Sequence, residues 1–161
     1  MINLGVYLDE LSDHQIMECL AREIEKGNSQ NMLKDASIFY DNIGPVKTNI
    51  SAGFFNSTDI WNFEGSLIVF SLDAMEKAIN YVNNFNIFYG YGWKPINTLR
   101  MIKLLSQNNI PSFSASESAA NNFYRLTGMK PISINENLNN IITTLSGYSN
   151  DRTRHSESVQ V

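Results

Sequence analysis

SLIVFSLDAMEKAINYV (66–82) places an apolar, β-rich run directly against a stretch with helical spacing. The run 66–72 has strand length and composition. Beyond it, Met75, Ala78, Ile79 and Val82 recur every three or four residues, which predicts one buried helix face. Asp73 and Glu76 have the spacing of a capping box and place the helix start between strand and stripe. A strand followed at once by an amphipathic helix is half of a βαβ unit.

The same alternation extends in both directions. INLGVYL (2–8), ASIFYD (36–41), NIFYGY (86–91), IPSFS (110–114) and PISI (131–134) are further apolar runs bounded by turn residues. After the first, Asp9, Glu10 and Leu11 are expected to turn. Ser12 with Gln15 then opens a helix whose stripe is Ile16, Leu20 and Ile24 and whose stop is Gly27-Asn28. Ser114 with Glu117 repeats the capping-box spacing, Asn108-Asn109 and Gly128 mark helix ends, and a last helix is expected around 136–145. The segment 42–65 is the least regular: NISAGFFN (49–56) suggests a short extra strand, and 56–63 one or two helical turns. Together these features predict a single three-layer α/β domain, Rossmann-like, with a mainly parallel sheet of about six strands and helices on both faces. The domain is expected over 1–147, with a polar, disordered tail over 148–161.

A chain of 161 residues with 43% hydrophobic content suits one domain with a real core. A net charge of -4 gives no electrostatic footprint for duplex DNA. No apolar run reaches the ~20 residues that span a bilayer, and MINLGVYLDEL lacks the basic start of a signal peptide. Cys19 is the only cysteine and sits among the apolar positions of the first helix, as a core thiol does. A cytoplasmic protein without a membrane partner is expected. Asparagine is abundant and often doubled near helix ends, where it caps or turns the chain.

Open α/β sheets bind ligands outside the carboxyl ends of their strands. The candidates there are Asp9, Glu10, Asp41, Asn42, Asp73, Tyr91, Trp93 and Ser114. Carboxylates and amides accept hydrogen bonds from hydroxyls, and the YGYGW run (89–93) offers aromatic faces for stacking. That chemistry suits a small hydroxyl-rich ligand such as a ribose or hexose. Phosphate loops are missing: LDELSD (8–13) stands where G-x-G-x-x-G would follow the first strand. The turn Ser114–Glu117 is the best helix start for an anion. Neither G-x-S-x-G nor a metal-ligand pattern occurs, with one Cys and two distant histidines, His14 and His155. No metal and no cofactor is therefore expected, and no complete catalytic motif assigns a catalytic residue. Asp9, Glu10, Asp73 and Lys94-Pro95 invite comparison with a receiver domain, but Asp73 and Lys94 are too close in sequence for its intervening βα units.

DASIFYDN (35–42), FNSTDIWNF (55–63) and NNFYRLTG (121–128) resemble phrases in uncharacterised small proteins of marine cyanophages. Separately, Ile110–Ile134 resembles one Rossmann half of two-domain glycosyltransferases. The first resemblance brings no activity with it; the leading expectation is a phage-encoded accessory binding protein, acting in the host cytoplasm on a protein partner or a hydroxyl-rich ligand. The second implies a glycosyltransferase-like or nucleotide-sugar-binding enzyme acting as a homo-oligomer, although the partner domain's Glu motif is missing. A virion or assembly component that reuses the fold is the third expectation.

Overall fold

A computed structural model describes residues 1–12, 14–81 and 85–148. Its elements, in chain order, are β1 (Ile2–Leu11), α1 (Gln15–Ser29), β2 (Leu33–Ile43), β3 (Gly53–Asn56), β4 (Gly65–Val69), α2 (Leu72–Asn80), β5 (Phe85–Tyr91), α3 (Thr98–Asn108), β6 (Ser112–Ser114), α4 (Glu117–Thr127) and β7 (Ser133–Ile134). A final helix, α5, covers 141–148. Ser57–Asn62 forms a 3-10 turn between β3 and β4, and Glu136–Leu138 a shorter one before α5.

The seven strands lie in the order β3-β2-β1-β4-β5-β6-β7, and every neighbouring pair is parallel. The chain walks one way from β1 to β3, then jumps back across β1 and walks the other way from β4 to β7. Right-handed crossovers therefore put α1 on one face and α2, α3 and α4 on the other. Strand alternation sorts the core to match. Leu4, Val6, Leu8, Ile38, Ile68 and Phe88 meet α1 and α5, whereas Tyr7, Phe39, Leu67, Val69 and Tyr89 meet α2, α3 and α4. Each fully buried Leu, Ile or Phe contributes ~1.5–3 kcal/mol, so these two layers dominate stability. Gly5 on central β1 is needed for closeness: a Cβ there would lie 2.7 Å from the Phe63 ring. The expected Rossmann-like α/β architecture is what the chain adopts.

The short extra strand suggested within 49–56 is present: GFFN (53–56) pairs along β2 and makes seven strands among the described residues. Several local expectations are corrected. β1 does not turn at Asp9; it stays paired with β2 as far as Leu11 opposite Ile43, and Leu11 is buried. α1 consequently starts at Gln15 with His14 as N-cap and no side-chain cap, so the Ser12 box does not form. Gly27 lies inside α1, buried, with the helix running on to Ser29. Ser71 rather than Asp73 caps α2, and Ser116 rather than Ser114 caps α4. The last helix begins at 141, since Asn137, Leu138 and Asn140 take positive φ and break the turn before it. Asn109 and Gly128 do end α3 and α4, both in the left-handed conformation. Cys19 is buried and unpaired. Tyr148, the first residue assigned to the tail, packs edge-on to Phe88 at 5.3 Å. Val82 and the remaining tail, 149–161, lie outside the described residues. Among the described residues no helix is long and apolar enough to cross a membrane.

Candidate functional site

The strand order reverses between β1 and β4, and the side chains beyond their carboxyl ends form the first part of the site. Asp9, near the end of β1, accepts a 2.6 Å hydrogen bond from Ser71 Oγ and a 3.0 Å bond from Lys94 Nζ. Ser71 follows β4 and Lys94 follows β5, so one carboxylate ties three neighbouring strands together. Ser71 Oγ also accepts from the Ala74 backbone N–H at the start of α2. Asn42, exposed at the end of β2, donates to the backbone carbonyl of Asp9 at 3.3 Å, and Glu10 is exposed opposite it.

Asp41 is the centre of a second network. Its Oδ1 accepts from Tyr7 Oη at 2.9 Å and from Ser57 Oγ at 2.5 Å, and its Oδ2 pairs with Lys77 Nζ at 2.6 Å. Burial opposes ionisation of Asp41, but the bonds from Lys77, Ser57 and Tyr7 together outweigh it and hold the carboxyl below its usual range. Burial first, and the bond to Asp41 second, push the Tyr7 phenol above its ordinary value. Asp41 in turn raises Lys77. Asp73 lies on the exposed surface of α2, where it and Glu76 hold the Arg100 guanidinium. The hydrogen bonds that Arg100 donates to Glu76 and then to Asp73 raise its pKa.

The concave part of this edge lies further along, between the β5–α3 connection and α4. A cleft of about 630 Å³ is lined there by Tyr91, Gly92, Lys94, Pro95, Ile96, Ser116, Ser118, Ala119, Asn121, Asn122 and Arg125. Its back wall is a relay: Arg125 donates to Asn122 Oδ1 at 3.1 Å, and Asn122 donates to Tyr91 Oη at 2.7 Å. Gly92, at φ +102°, lets the connection approach α4 closely: a Cβ there would lie 3.0 Å from that of Ala115. Lys94 and Arg125 bring two positive charges to the lining, and no carboxylate belongs to it. Glu117 is exposed outside the lining.

Asp9, Asn42 and Asp41 thus share the carboxyl edge with the cleft but do not line it, and Asp73 stands on the outer surface of α2. Tyr91 lines the cleft, with its ring against Phe123 at 5.1 Å. Trp93 instead turns into the core, edge-on to Phe70 at 5.4 Å and Phe113 at 5.3 Å. Ser114 is fully buried, and its hydroxyl has no hydrogen-bond partner among the described residues. Ser116, Asn122 and Arg125 are cleft residues that the sequence does not single out. The signal for them was the i, i+3 spacing of Asn122 and Arg125, which puts an amide and a cation on one helix face. Among the described residues no group of three or more His, Cys, Asp or Glu is placed to hold a metal ion. Comparison with family models, curated proteins and solved structures returns no match, so neither resemblance gains support from it.

Proposed function

We propose that this chain is an accessory binding protein that holds a small anionic, hydroxyl-rich ligand in the cleft between the β5–α3 connection and α4. A sugar phosphate or a nucleotide sugar has that chemistry. The observation that carries the reading is the lining itself: two cations and no carboxylate, in a protein of net charge -4. Arg125 is held by an amide rather than an acid, so its charge is available to an incoming phosphate. Asn121, Ser116 and Ser118 supply donors and acceptors for hydroxyls, while Tyr91 and Ile96 supply an apolar wall.

Binding is favoured over turnover by the state of the nearby acids. Asp9 and Asp41 each already accept from a hydroxyl on one oxygen and from an ammonium on the other, whereas a general base needs a lone pair open to substrate. The glycosyltransferase-like alternative keeps the same ligand class and adds a reaction. The phage origin rests on the resemblance of residues 35–42, 55–63 and 121–128 alone.

The test is a titration of the full chain, followed by amide chemical shifts, with a nucleoside diphosphate sugar, a hexose phosphate, inorganic phosphate and free hexose. The phosphorylated sugars are expected to move Gly92, Lys94 and the first turn of α4. Arg125→Ala should weaken them about tenfold or more, the usual worth of a charged hydrogen bond. Absence of binding at millimolar concentration, or shifts confined to the amino edge, overturns the reading. Copurification with virus particles would then support the assembly-component alternative.

A further inference from the structure

A second cleft, of about 610 Å³, opens at the opposite, amino edge of the sheet, on the face that carries α2, α3 and α4. Over β2 and β3 that face is covered by the 3-10 turn, through buried Ile60. Phenyl rings wall the cleft. Phe39 packs edge-on to Phe63 at 5.5 Å and tilts against Phe55 at 5.8 Å. Phe55 is 41% exposed. Around the rings stand Asp35, Asp59 and Glu64, and no lysine or arginine belongs to the lining. Asp35 accepts from the adjacent Ala36 N–H, and neither it nor Asp59 is paired with a cation among the described residues. The wall also contains Asn3. Its amide nitrogen donates to the Glu64 carbonyl at 3.1 Å.

We infer that this amino-edge cleft is a binding site for an alkyl guanidinium or ammonium cation. Two features converge on that class. Asp35 and Asp59, without opposing charge among the described residues, lower the potential of the cleft and favour a positive occupant. Aromatic faces attract a cation and accept the flat guanidinium and its alkyl stem. A phosphorylated ligand is repelled here for the same reasons that it suits the other cleft, so the two sites divide the ligand classes by charge.

The cation can be a free small molecule or the side chain of a basic peptide, and one experiment separates them. The full chain is titrated with agmatine, with butylurea as a neutral isostere of its guanidinium end, and with acetyl-Gly-Arg-Gly-amide. Agmatine is expected to move the amides of Ser37, Phe55 and Asp59–Glu64, with butylurea at least about tenfold weaker. The double variant D35N/D59N and, separately, Phe55→Ala should each weaken agmatine about tenfold. All three positions are exposed, so an unchanged amide spectrum elsewhere confirms folding. Tighter agmatine assigns the site to free cations and tighter peptide to a basic segment; both uphold it. Equal binding of butylurea, undiminished binding to D35N/D59N, or shifts outside the cleft overturn it.

Discussion

Asp41 shows how much a single carboxylate can organise. It collects one phenol, one hydroxyl and one ammonium from β1, the 3-10 turn and α2. Its depressed pKa states the linkage. Stability from this group is fully present above the ordinary carboxylate range of ~3.9 and disappears as pH falls through the lowered value. Lys77 runs the other way: its raised pKa means that its share persists through neutral pH and fades only in strong alkali. Lys77 is half exposed, so most of the worth lies with Tyr7 and Ser57. Asp41→Asn should therefore destabilise the protein by about 1–3 kcal/mol at pH 7. Urea unfolding at pH 7 and at pH 3 checks this, and the gap between the two proteins should narrow at pH 3. Tyr7→Phe keeps the buried ring and should lose only about 1 kcal/mol.

The two serines at the β6–α4 junction separate what a pattern can reveal from what it cannot. Ser114 and Glu117 have the capping-box spacing, yet Ser114 completes β6 opposite Tyr91 and Ser116 makes the cap, accepting from Ala119 N–H at 3.1 Å. The choice is made by strand pairing, since Ala115 N–H bonds to the Tyr91 carbonyl and keeps the chain extended past Ser114. The same cause carried β1 past the expected turn at Asp9 to Leu11, whereas the β4 ladder ends at Val69 and lets the α2 cap fall early, at Ser71 rather than Asp73. Long apolar periodicity made the elements legible; the ladder with a distant strand, which no local window contains, decided their ends. Ser116→Ala should lose about 1 kcal/mol of stability. Ser114→Ala removes a buried hydroxyl without a hydrogen-bond partner among the described residues and should leave stability unchanged or higher. Thermal unfolding of the two variants side by side distinguishes them, and equal losses would show that both hydroxyls hold the helix. Gly92→Ala tests the neighbouring turn. A positive φ and crowding by Ala115 and Ala119 should make it destabilising by about 1–3 kcal/mol.

Strand order explains why the site was legible by region and not by residue. Carboxylates and amides at the ends of β1 and β2 and in the first turn of α2 identify the carboxyl edge. The concave part, however, needs α4 laid beside the β5–α3 connection, a relation between residues 92 and 125 that only the sheet creates. Lys94 links the two parts, because it lines the cleft and pairs with Asp9 at 3.0 Å. Both partners are about one-third exposed, and a pair of that kind is worth ~0.2–1 kcal/mol. An anion entering the cleft thus competes with Asp9 for the same ammonium group. Asp9→Asn should release Lys94 and raise the affinity for a nucleoside diphosphate sugar by up to about fivefold. Lys94→Ala should lower it, and raising the salt concentration should shrink both differences, as screening requires. Isothermal titration at two ionic strengths reads all three. A fall in affinity on Asp9→Asn would mean instead that Asp9 itself accepts from the ligand's hydroxyls, placing the sugar at the reversal between β1 and β4 and the phosphate beside Arg125.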